Sequence, residues 1–213
     1  MDHVFLQDTE SCIVLTSGGD LPRTLKQTRT DLMARVAVID PRTATGEARQ
    51  LLDAVQSGLG MVPNFIRVLA NSPAALRAFL GLHAIAGSGA LDPQTRERIA
   101  LAVAEQNACQ YCVSAHTAIG RKAGLGNDEM LANRQGRSSD AKAEAALTFA
   151  RALVTHTGQV SKAEVDAVRA AGHSDGEIIE IITHVAMNIF TNLLGKSTQV
   201  EIDFPKIDLG LSA

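Results

Sequence analysis

The segment Cys109-Gln110-Tyr111-Cys112-Val113-Ser114-Ala115-His116 places two thiols three positions apart and an imidazole four positions beyond the second. On a helical turn, residues i and i+3 are neighbours, so Cys109 and Cys112 can approach closely enough to form a strained, easily reduced disulfide. A cysteine at a helix N-terminus also faces unpaired backbone N–H groups, which stabilise its thiolate. His116 falls on the same helical face as both cysteines, where an imidazole can take a thiol proton and later return it. Two carboxylates precede the pair, Glu97 and Glu105. If the preceding helix runs to Asn107, the two stand about two turns apart and can both face the thiols.

Paired cysteines at this spacing also occur in zinc sites, but a structural zinc site needs four ligands. Here the only nearby third ligand is His116, and His83 or His184 would have to complete the set. The remaining cysteine, Cys12, is isolated near the start, so three cysteines make a local redox pair rather than a disulfide scaffold. No metal and no tightly bound cofactor is expected. With 20 basic against 23 acidic residues, scattered rather than banded, and aromatics at 3% with no Trp, nothing offers a nucleic acid either a phosphate track or a stacking surface. No run approaches the roughly 20 apolar residues that cross a bilayer. The opening MDHVFLQDTE lacks the basic and apolar regions of a secretory signal, so a cytoplasmic setting is the expectation.

The elements that must position these residues read as helices almost throughout. Of 213 residues 46% are hydrophobic, enough for one sizeable core. Residues 1–32 have no clear period and read as an N-terminal extension; at Met33 the text changes to MARVAVIDP, which resembles a protein start, so 33–213 is taken as a single domain. Helices are expected over 46–57, 73–87, 93–107, 109–124, 141–156, 161–171 and 176–194, with a short segment that starts at Met61-Val62-Pro63-Asn64 and ends before Asn71, and a short turn or helix over 127–133. Ser72-Pro73 and Asp92-Pro93 supply caps, and Gly195 is expected to close the last helix. That last helix is apolar around much of its circumference, which suits a central helix or a subunit interface. His184, Asn188 and Asn192 run down it as one polar stripe, read as a hydrogen-bonded seam. Val200, Ile202 and Phe204 alternate, but Pro205 ends the run, so the C-terminus is expected as an extended tail on an all-α bundle.

Glu97 followed by Cys109-x-x-Cys112-x-x-x-His116 resembles the signature of the AhpD-like alkylhydroperoxidases in the carboxymuconolactone decarboxylase superfamily, closest to their peroxidase-related members of unassigned substrate. The resemblance covers about residue 45 to Pro205. It implies an AhpD-like helical bundle that assembles as a homo-oligomer. It implies that Cys112 attacks the O–O bond of a small hydroperoxide, that Cys109 resolves the resulting sulfenic acid as a disulfide, and that His116 and Glu97 relay protons. A lipoyl group or another dithiol would then reduce the disulfide. Glu105 is kept as a second carboxylate of the pocket. Many members carry a histidine immediately before the second cysteine, where this chain has Tyr111, and a phenol with a pKa near 10 is a poor base at neutral pH. The helix terminus by itself favours a thiolate on Cys109, whereas the resemblance assigns first attack to Cys112. The expected function is a thiol-dependent peroxidase; the alternatives are a dithiol/disulfide reductase and a non-enzymatic redox sensor or scaffold.

Overall fold

A computed structural model describes residues 34–210; Cys12, Met33 and the expected boundary at residue 32 lie outside the described residues. Among the described residues there are nine α-helices and no strand. They are α1 (Gly46–Leu59), α2 (Asn64–Leu69), α3 (Pro73–Gly87), α4 (Pro93–Gln106), α5 (Gln110–Lys122), α6 (Asn127–Arg134), α7 (Ala141–Thr155), α8 (Lys162–Ala170) and α9 (Asp175–Thr198). The all-α expectation holds, and so do most boundaries, because the caps are written locally. Ser72 and Asp92 accept the Ala75 and Thr95 N–H groups, each ahead of a proline in the first turn. Asp140 caps α7, and Ser161 and Ser174 form capping boxes with Glu164 and Glu177. Each such cap contributes about 1 kcal/mol to its helix.

Helix α4 is the hub. Every residue from Arg98 to Ala104 is buried, and α5, α6, α7 and α9 pack around it. Its alanines at 100, 102 and 104 leave room for neighbours to approach from all sides. Two apolar clusters meet here. One joins α4 to α7, α8 and α9 through Ile99, Val103, Phe149, Val168 and Ile181. The other joins α1, α2 and α3 to the start of α5 and to the C-terminal tail, and it contains Cys109, Tyr111 and Cys112. The stretch before α1 belongs to this second half: Val38 is buried, and Arg35 N–H donates to the Thr198 carbonyl at 2.8 Å.

Helix α9 departs from expectation at its end. Gly195 does not close it; the helix continues to Thr198 and stops at Gln199, whose φ is +48°. Gly195 is buried inside the helix rather than placed at its terminus. By length and composition alone α9 could cross a membrane. In the fold it packs on α4, with His184, Asn188 and Asn192 turned inward. Ile179, Ile182, Ala186, Phe190 and Leu193 remain exposed along its other side. Beyond it the chain runs extended to Gly210, as expected for the tail.

Candidate active site

The join between α4 and α5 fixes the first cysteine. Helix α4 ends in a Schellman-type turn: Cys109 N–H donates back to the Ala104 carbonyl at 2.9 Å, and Ala108 between them has φ +51°. An alanine there costs about 1 kcal/mol relative to glycine. The turn delivers Cys109 as the N-cap of α5, where its sulfur accepts the Cys112 N–H at 3.4 Å. Cys109 and Cys112 are joined as a disulfide, with their Cα atoms 5.3 Å apart. The two residues are only 1% and 3% exposed.

His116 lies one turn beyond Cys112, and its Nδ1 is 2.8 Å from Glu97 Oε2. Both side chains are partly open to solvent, at 21% and 16%. A carboxylate on one ring nitrogen fixes the orientation of the imidazole. His83 of α3 stands at the edge of this pair, its ring against Phe79. Although part of His83 reaches solvent, the surrounding protein pushes its pKa down; the His116 charge does so too, and Glu97 opposes them. His184 is buried on α9, and that burial lowers its pKa, with the Ala86 carbonyl acting in the opposite sense. It belongs to the polar seam, which the structure forms only in part. Asn192 Oδ1 accepts from Asn107 Nδ2 at 2.9 Å, while Asn188 turns its amide back to the His184 carbonyl.

At about 100° per residue, Gln110, Tyr111 and Ser114 point away from the sulfur face of α5. All three are engaged by the tail. Gln110 donates to the Ile207 carbonyl and to Asp208, and Ser114 Oγ accepts the Ile207 N–H at 3.0 Å. Tyr111 donates to Asp203 Oδ1 at 2.8 Å and accepts the Phe65 N–H at 3.3 Å. Burial, and next the neighbouring Asp203 carboxylate, push the phenol well above its ordinary range. Tyr111 therefore anchors the tail, and its hydroxyl is committed away from the thiols.

Of the two carboxylates expected beside the thiols, Glu97 is the one joined to His116. Glu105 accepts from Arg134 Nε at 2.8 Å and from the Gly210 N–H at 3.3 Å, on the route of the tail. Eight residues of helix overshoot two full turns by about 80°, which separates the two side chains. Among the described residues, no three His, Cys, Asp or Glu side chains gather as a metal site would require. A surface concavity lined by Asp128, Glu129, Arg137 and Ser139 contains none of the expected site residues. It surrounds the structural carboxylate Glu129. Burial there opposes ionisation, but hydrogen bonds from Ser138, Asn133 and Ser139 outweigh it and bring the pKa down to about 2.

The residue that sequence reading missed is Gly195. A Cβ placed there would lie 3.2 Å from Cys109 Sγ and 3.8 Å from Cys112 Sγ, so the α9 backbone rests directly on the disulfide. The same end of α9 grips the turn before Cys109, for Lys196 Nζ donates to the Asn107 carbonyl at 2.7 Å. Uninterrupted helix-compatible residues through Thr198 were the available signal that Gly195 is internal.

Residues 73–156, which span α3 through α7 and hold both cysteines, His116 and Glu97, match the carboxymuconolactone decarboxylase family. The fold is shared with an uncharacterized peroxidase-related protein from Ralstonia eutropha JMP134 that has an alkylhydroperoxidase AhpD core. That protein is 27% identical with a TM-score of 0.71, over 80% of this chain and 93% of the other. The segment that holds the site is similar to the carboxymuconolactone decarboxylase family, and the fold to an AhpD core. A second similar structure, an uncharacterized peroxidase-related protein from Silicibacter sp. TM1040, is 25% identical with a TM-score of 0.70, over 79% and 90% of the two chains. The debrominase Bmp8, solved with 2,3,4-tribromopyrrole, is 22% identical with a TM-score of 0.67 over 80% and 94%, a likeness of fold. No curated protein matches the sequence.

Proposed function

We propose that this AhpD-like protein is a thiol-dependent peroxidase that reduces small organic hydroperoxides. The observation that carries this reading is the Cys109–Cys112 disulfide on the same face of α5 as a His116 held by Glu97. In the reduced enzyme His116 takes the Cys112 proton, and the thiolate attacks one oxygen of ROOH. The O–O bond breaks, Cys112 becomes a sulfenic acid, and the leaving alkoxide takes the proton back from His116 as ROH. Cys109 then displaces water from the sulfenic sulfur, closing the disulfide. An external dithiol, of which a lipoyl group is one, returns two electrons and two protons. No tightly bound cofactor takes part, and such regeneration suits the reducing cytoplasm. The exposed stripe of Ile179, Ile182, Phe190 and Leu193 supports assembly with further copies of the chain.

Cumene hydroperoxide with dihydrolipoamide tests the reading. One dithiol oxidised per hydroperoxide consumed, over many turnovers, is the expected result; no turnover contradicts it. Near-complete burial of both sulfurs favours a second reading, a redox sensor whose pair switches state without catalysis. Fast disulfide formation with no sustained turnover would select it.

A further inference from the structure

We propose that Gly195 is a positioning residue that sets the dithiol–disulfide equilibrium of Cys109 and Cys112, by keeping free the space the reduced pair needs. This rests on the reading that the pair cycles, whether in catalysis or in sensing. Two bonded sulfurs sit about 2.05 Å apart, whereas non-bonded heavy atoms need roughly 3.5 to 4 Å. Reduction therefore enlarges the pair inside a nearly closed site. The wall on one side is the backbone of α9 at Gly195, from which a Cβ would project to 3.2 Å from one sulfur and 3.8 Å from the other. That wall is braced. Asn107 bonds Asn192, Lys196 bonds the Asn107 carbonyl, and the Thr198 carbonyl accepts from Arg35. A methyl group at position 195 thus takes up volume that the disulfide needs less than the dithiol does. The glycine is read as a redox determinant, which explains why a helix-weakening residue sits inside α9 rather than at its end.

The test compares two substitutions that are alike in crowding. Gly195→Ala crowds the sulfurs. Gly120→Ala, further along α5, places its Cβ 3.1 Å from Met130 Sδ and 3.3 Å from Leu125 Cδ1, with neither cysteine sulfur among its three nearest atoms. Each protein is equilibrated in graded mixtures of reduced and oxidised dithiothreitol, where protein disulfide plus dithiol gives protein dithiol plus cyclic disulfide. Free thiols are then counted by alkylation and mass spectrometry. G195A should shift the midpoint at least about tenfold toward the disulfide, equivalent to about 30 mV, and G120A should stay within about twofold of wild type. A G195A midpoint equal to wild type, or moved toward the dithiol, would overturn the proposal. If the reduced variant is too unstable to titrate, the melting temperatures of both redox forms complete the same cycle. The substitution must destabilise the reduced form more than the oxidised one, and equal losses overturn it. A wild-type pair that never exchanges with dithiothreitol would remove the redox reading itself, and this proposal with it.

Discussion

The two faces of α5 are built from the same thirteen-residue helix and do opposite things. On one face, Cys112 and His116 follow the capping Cys109, and their partners are a carboxylate from α4 and a bare stretch of α9 backbone. On the other, Gln110, Tyr111 and Ser114 spend their polar groups on the tail, which Arg134 and Glu105 also hold. The difference teaches that proximity in sequence to a reactive thiol is a poor guide to function. Tyr111 adjoins Cys112 in the chain yet serves the fold, while Glu97 and Gly195 come from distant segments and meet the reactive face.

Substitutions can break or sharpen this contrast. The largest expected effect is on the reactive face. His116→Ala should slow peroxide-driven disulfide formation about 100-fold at pH 7. The deficit should shrink at pH 9, because an unassisted thiol with a pKa near 8.5 ionises there without a base. Stopped-flow thiol loss against pH checks both points; a packing histidine would lower the melting temperature and leave the rate alone. Glu97→Gln should give a smaller loss in the same assay, roughly tenfold, since it orients the ring rather than accepting the thiol proton.

On the tail face the effects should move to stability. Tyr111→Phe leaves Asp203 Oδ1 and the buried Phe65 N–H without the phenol, which should cost about 1–3 kcal/mol in denaturant unfolding. The rate of disulfide formation per folded molecule should match wild type; a comparable rate loss would place Tyr111 in the relay after all. The smallest effect is expected at the join. Ala108→Gly relieves a left-handed alanine and should change stability by no more than about 1 kcal/mol.

Much of this was legible locally. Ser72-Pro73, Asp92-Pro93 and Ser174 with Glu177 mark helix starts because a cap needs only neighbouring residues. The Cys109, Cys112 and His116 face follows from helical period alone. Contacts between distant segments were not legible in the same way. Nothing near Asp203 announces that it will receive the Tyr111 hydroxyl 92 residues away. A glycine late in an apolar helix reads equally as a terminus or as a close approach, and only the packing of α9 on the sulfurs decides between them at Gly195. The bonds of Glu105 to Arg134 and to the Gly210 N–H likewise join residues far apart in the chain.

The central claim is the division of labour within the pair, with Cys112 attacking and Cys109 resolving. It is tested most directly by trapping the first oxidised sulfur. Cys109→Ser and Cys112→Ser proteins are each treated with one equivalent of cumene hydroperoxide in the presence of dimedone, and the labelled peptide is identified by mass spectrometry. The account predicts rapid dimedone labelling at Cys112 in C109S and little at Cys109 in C112S. Fast labelling at Cys109 in C112S, with Cys112 unlabelled in C109S, would contradict it.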